Sequence, residues 1–145
     1  MDEPCLSLHH QNKLKTIKHK NTMNIEEIRE YSLSLPSTSE DCPFEPDGLA
    51  LRVLDKIFAY VDLNRSDFIC LKCNPQYAIQ LREEHPEITG AYHWNKKYWN
   101  QVAYRHGTLP DDFIKHLIRH SYQEVVKKMP RRTLSEHPEL TSVKT

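Results

Sequence analysis

Two β-rich runs, 49-LALRVL-54 and 57-IFAYVDL-63, stand only Asp55-Lys56 apart, and nothing else in the chain constrains the fold as much. A link that short can only turn a strand back on its neighbour, because a parallel return needs a crossover of a dozen residues or more. The chain therefore has an antiparallel hairpin at its centre. A third run, 68-FICLKC-73, follows the polar turn at 64–67 and extends the same sheet.

The flanking segments read as helices. Asn74-Pro75 supplies the N-cap and first position of a short helix from Gln76 to Glu84, stopped by Pro86. A long helix begins after Pro110, with Asp111 and Asp112 at its positive end and Lys127 and Lys128 at its negative end. Ile114, Leu117, Ile118, Ser121, Tyr122, Val125 and Met129 fall on one face of that helix at the 3.6-residue period. A first helix starts at Asn24, with Glu27 placed to close a capping box. Between the second and third helices lies 92-YHWNKKYWN-100, which reads as a further pair of strands. The order is helix, three strands, helix, two strands, helix. Helices segregated from an antiparallel sheet make a two-layer α+β domain, α-β(3)-α-β(2)-α, with the sheet covered by helices.

The 145 residues suffice for one domain, expected over 23–131. Residues 1–22 show no apolar period and read as a disordered basic extension, with Met23 as a plausible functional start. Residues 132–145 read as a flexible tail. Formal net charge is zero, but residues 23–130 carry −3 while both ends carry the basic excess. No apolar run is long enough to span a membrane, and the N-terminus has lysines without the apolar segment of a secretory signal. Four cysteines do not form a disulfide framework in a chain this long, so a reduced, cytoplasmic setting is expected.

Motifs with chemistry are few. Cys70 and Cys73 match C-x-x-C, but residues three apart in a strand point to opposite faces, so the thiols diverge. His116 and His120 are spaced for metal ligation on a helix, yet no third ligand is specified, and they read as solvated. No nucleophile elbow or phosphate-cradling glycine loop occurs. The expectation is a non-enzymatic protein with no cofactor and no metal.

That leaves 92–100. With Lys96-Lys97 at the tip of a two-residue hairpin, Trp94 faces Trp99 and Tyr92 faces Gln101 on one side, as core. His93 facing Asn100 and Asn95 facing Tyr98 form the other, polar side.

The segments 23-MNIEEIREYSLSLP, 70-CLKCNPQYAIQLREEHP, 92-YHWNKKYWN and 107-GTLPDDFIKHLIRHSYQEVV resemble the MmcQ/YjbR family of small bacterial proteins. The most specific pattern is H-x-N-K-x-x-W-N, met by His93, Asn95, Lys96, Trp99 and Asn100. Tyr98 stands where many relatives have a second histidine, and Trp94 where they often have methionine. The resemblance implies a fold similar to secretion chaperones and frataxin, and DNA binding by a double-wing motif. On that reading His93, Asn95, Lys96, Lys97, Asn100 and Arg105 contact nucleic acid, with Arg52, Lys56 and Lys72 available to share the face. The alternative is a protein–protein interaction module, chaperone-like, with a protein partner or a homodimer.

Overall fold

The computed structural model describes residues 23–91, 94–105 and 108–144. Helix α1 (Ile25–Leu33) opens on the expected capping box. The Asn24 side chain accepts the Glu27 N–H at 2.9 Å, and the Glu27 carboxylate accepts the Asn24 N–H at 3.1 Å. Strands β1 (Thr38–Asp41), β2 (Gly48–Val53), β3 (Lys56–Asp62) and β4 (Phe68–Lys72) follow. Helix α2 (Pro75–Glu84), strands β5 (Ile88–Gly90) and β6 (Trp99–Ala103), and helices α3 (Asp111–Lys127) and α4 (Arg131–Glu136) complete the order.

All six strands form one antiparallel sheet in the order β1-β2-β3-β4-β6-β5. Helix α2 carries the chain from β4 to the far edge, and the β5–β6 hairpin then brings β6 back against β4. The architecture is the α+β arrangement read from the sequence, with one strand and one short C-terminal helix more. β1 escaped notice because its residues, Thr-Ser-Glu-Asp, carry no apolar alternation and it pairs only at the edge, on β2.

Register decides which side chains meet. Leu51, Ala59, Leu71 and Asn100 form one row across the sheet, on the face covered by helices. Against that face α3 packs Ile114, Leu117, Ile118, Ser121, Tyr122 and Val125, all buried, as its periodicity required. Burying each large apolar side chain of this set contributes about 1.5–3 kcal/mol. A register shift between Leu51 and Arg52 leaves Phe58 as an extra residue on β3. Such a bulge turns a side chain out of alternation. Phe58 thus joins the helix side, its ring 5.5 Å from that of Tyr122. Ser121 locks the layers together, donating to the Phe58 carbonyl at 2.5 Å and accepting the Lys72 N–H at 2.8 Å.

Two local expectations are corrected. The β2–β3 hairpin turns on Leu54-Asp55 rather than Asp55-Lys56, since Lys56 already pairs with Val53. Leu54 adopts φ 55°, a left-handed conformation uncommon for a bulky side chain, and its N–H is held by the Ser37 carbonyl at 3.0 Å. The C-terminal segment does not fray. After α4 a 3-10 turn, Pro138–Ser142, buries Leu140 in the core, and the Ser37 hydroxyl donates to Glu139 at 2.6 Å. The basic extension, 1–22, lies outside the described residues. No helix among the described residues is long and apolar enough to cross a membrane.

Candidate functional site

The sheet's second face carries a different row: Ala50, Tyr60, Cys70, Gln101 and Thr89, each opposite the next in register. One step along, Lys72 pairs with Trp99 on the same side. The buried apolar residues of the helices belong to the core cluster with Leu51, Ala59 and Leu71, on the other face. Tyr60, Cys70, Lys72, Trp99 and Gln101 are accordingly only half-buried.

Two connections lay aromatic rings on this open face. Phe44, from the β1–β2 connection, sits 5.8 Å from Tyr60, and Trp94, from the β5–β6 connection, sits 5.4 Å from it. Trp94 also lies 4.5 Å from Trp99 with the rings 35° apart, an offset contact of the kind aromatic pairs favour. Gly48 is required beneath this cluster, since a Cβ there would stand 1.8 Å from the Tyr60 hydroxyl oxygen. Beside Tyr60 and Trp94 opens a pocket of about 190 Å³, bounded also by Phe68, Gln101 and the carboxylates of Glu45 and Asp62. Burial, then Glu45 and Asp62, raises the Tyr60 pKa. The Cys70 thiol in the same wall is pushed up by burial to about 11 and stays protonated at neutral pH. Arg65 places its guanidinium 5.7 Å from the centre of the Phe68 ring.

The other end of the sheet is basic on both sides: Lys72 lies on the open face beside Trp99, whereas Tyr98, opposite the buried Cys73, falls on the helix side near the end of α3. Tyr98 has the Lys97 ammonium 5.5 Å from its ring centre and the Lys128 ammonium at 5.6 Å. Burial holds the Lys72 pKa down and the charge of Lys128 lowers it further, while Glu124 and Tyr98 pull it up and Lys56 adds a last lowering, so Lys72, Lys128 and Lys56 share a field with one carboxylate. Among the described residues, none of Lys56, Lys72, Lys97 and Lys128 has a carboxylate within ion-pair distance.

The six residues expected to contact nucleic acid are placed differently from one another. Asn95, Lys96 and Lys97 are exposed in a turn rather than at a two-residue hairpin tip. The Asn95 side chain accepts the Lys97 N–H at 3.0 Å, and its carbonyl accepts from Tyr98 and Trp99. Lys96 lays its stem over Gly90, and its carbonyl accepts from Arg82 at 3.3 Å. Asn100 is buried on the helix side, accepting from Arg82 at 2.7 Å and donating to the Ala78 carbonyl at 3.4 Å. It is a structural tie between β6 and α2. Arg105 is exposed but lies 3.6 Å from Asp67. His93 lies outside the described residues, as does Tyr92. Arg52 is engaged too, donating to Asp41 at 2.8 Å and to the Asp55 carbonyl at 2.7 Å. Trp94 and Trp99 meet as expected, but half-buried on the open face instead of in the core. The sequence reading missed Phe44, Tyr60 and Lys128. Tyr60 was signalled by its place in alternation with buried Ala59 and Val61.

Cys70 and Cys73 do diverge, one on the open face and the other buried, where the Cys73 thiol is pushed up to about 12. His116 and His120 are half-buried and engaged in hydrogen bonds rather than simply solvated. His120 accepts the Asn74 N–H at 3.2 Å and His116 shares a 3.1 Å hydrogen bond with the Tyr77 hydroxyl, tying α3 to α2. Among the described residues no group of three or more His, Cys, Asp or Glu is placed to hold a metal ion.

The model of the YjbR family matches residues 33–124. The chain belongs to the YjbR family. It is 31% identical over 109 residues to the Escherichia coli K12 protein YjbR, described as uncharacterized, covering 74% of this chain and 92% of the relative. A second YjbR-family relative, YbdF of Escherichia coli O157:H7, is 31% identical over 108 residues, covering 74% and 88%. The crystal structure of the Deinococcus radiodurans DUF419-domain protein DR2400 superposes with a TM-score of 0.74 at 30% identity, covering 82% of this chain and 91% of that one. A Pseudomonas syringae crystal structure gives 0.59 at 31% identity, covering 70% and 98%. These YjbR-family relatives are bacterial proteins without an assigned activity.

Proposed function

We propose that this YjbR-family protein binds DNA without catalysing a reaction on it, through the lysines at one end of the sheet and the turn at 95–98. The observation that carries the reading is the set of lysines at this end of the sheet: Lys97 and Lys128 lie over the Tyr98 ring, and Lys72 pairs with Trp99 and shares a field with Lys128 and Lys56. Glu124 acts on Lys72 but is itself paired with Lys127 at 2.8 Å, so these four cations, without a direct ion pair among the described residues, can replace the counterions of a phosphate backbone, and neighbouring aromatic faces accept bases. Arg52 and Arg105, already matched to Asp41 and Asp67, contribute less to such a site. A cytoplasmic setting is part of this reading, supported by the free thiols of Cys42, Cys70 and Cys73.

The test is binding of the full chain to labelled DNA across a salt series. Affinity must fall steeply as salt rises, and Lys97→Ala with Lys128→Ala must make the slope shallower by about two, one per lost phosphate contact. Binding that ignores salt overturns the proposal. A second reading has its own support: Phe44 is 65% exposed beside Trp94, an apolar knob suited to a protein partner or a second copy. Sedimentation as a monomer at every concentration removes the homodimer.

A further inference from the structure

The acidic end of the open face is the wrong surface for phosphate. Glu45 and Asp62 line the pocket there, and together with burial they raise the pKa of Tyr60 beneath it. Its walls are nevertheless suited to a flat, polar-edged ring. Tyr60, Trp94 and Phe68 offer aromatic surface, and the Gln101 amide offers one donor group and one acceptor. The charged groups at the rim are two carboxylates, which accept hydrogen bonds and donate none when ionised, and the Arg65 guanidinium, which only donates and stands over the Phe68 ring. A ligand that satisfies this set has an aromatic ring whose edge carries both N–H donors for the carboxylates and an acceptor for Arg65 or Gln101.

Resting on the DNA-binding reading, we propose that this pocket takes one unpaired nucleobase bearing an exocyclic amino group, while the phosphates of the same strand run toward the lysine end. Stacking occurs against Trp94 and Tyr60, and Glu45 or Asp62 accepts from the amino group. Carboxylates read amino-bearing base edges in the same way elsewhere, as when Glu or Asp accepts from cytosine N4. The site thereby selects single strands, since a paired and stacked base presents neither its face nor its full edge. The two charged ends then have separate tasks. Lysines hold the backbone, and carboxylates at the far end face a base.

The experiment uses nucleosides, which lack phosphate and so bypass the lysine end. Guanosine, cytidine, adenosine and uridine are titrated against the full chain while tryptophan fluorescence is followed, since Trp94 lines the pocket and Trp99 touches Trp94. Saturable quenching is expected for the three amino-bearing nucleosides, with uridine roughly tenfold weaker, the discrimination of one good edge contact. The double change Glu45→Gln, Asp62→Asn should abolish that preference. The Asn side chain can still accept the Asn64 N–H that Asp62 accepts at 3.0 Å, so the local turn is preserved, and a melting curve checks it. No quenching by any nucleoside, or equal quenching by all four, overturns the base pocket. Oligonucleotide binding in parallel separates the two ideas. Salt-sensitive binding without a nucleoside response sinks the pocket alone, and a nucleoside response without salt-sensitive DNA binding sinks the phosphate reading.

Discussion

Two aromatic clusters flank the same sheet, and they have opposite characters. On the helix side, Tyr77 sits between His116 and His120, at 6.2 and 5.1 Å, and each ring nitrogen used there meets a donor or hydroxyl on α2. On the open side, Tyr60, Trp94, Trp99 and Phe44 touch one another, but a pocket beside them exposes their faces. Each cluster is built around one tyrosine, with histidines on the helix side and tryptophans and a phenylalanine on the open side. What differs is that the first has its polar atoms used up by the fold, while the second leaves ring faces and carboxylates facing solvent. Satisfied polar groups serve stability, whereas surplus ones are available to a ligand.

Substitutions can break this comparison. The largest loss is expected from Phe58→Ala, a ring fully buried against Tyr122, at about 3–5 kcal/mol in chemical denaturation. Asn100→Ala should cost about 2–3 kcal/mol, because it strips Arg82 and the Ala78 carbonyl of a shared partner inside the protein. Trp99→Ala, on the open side, should cost only about 1–2 kcal/mol, as much of that ring already meets water. If Trp99→Ala proves as damaging as Phe58→Ala, the open face is a second core and the distinction fails.

The smallest effect is a pH dependence confined to the closed cluster. Burial lowers the pKa of His120 below its ordinary value of 6.5, although Glu124 pulls it up, and burial with Arg119 lowers that of His116. The unfolded chain therefore binds protons more readily than the folded one. Stability from these rings is complete above the ordinary value and is lost as pH falls through the lowered one. The melting temperature should drop from about pH 7.5 to about pH 5, and His120→Gln should flatten part of that slope. A profile identical in the variant would remove His120 from the account.

Much of the fold was legible because its signals are local. Asn24, Asn74 and Pro110 mark helix starts, and the α3 stripe and the short β2–β3 link specify the layers. Position in space was less legible. Nothing near Asn100 in sequence shows that Arg82 and Ala78, brought alongside by α2, would claim its amide. The lysine group draws on β3, β4, the 95–98 turn and the end of α3, which only the folded sheet brings together. The β5–β6 connection was misjudged as a two-residue turn because Asn95 caps a longer one with its own side chain.

The link between Ser37 and Glu139 spans 102 positions, and it closes the fold across nearly the whole described chain. A ribosome adding roughly 5–20 residues per second needs about 5–20 s to travel that distance. Through that interval α1 and β1 have emerged while the segment that buries Leu140 has not yet been made. The nascent chain must therefore carry an incompletely covered apolar layer until Leu140 is made, a period in which general chaperones have an opportunity to act on it.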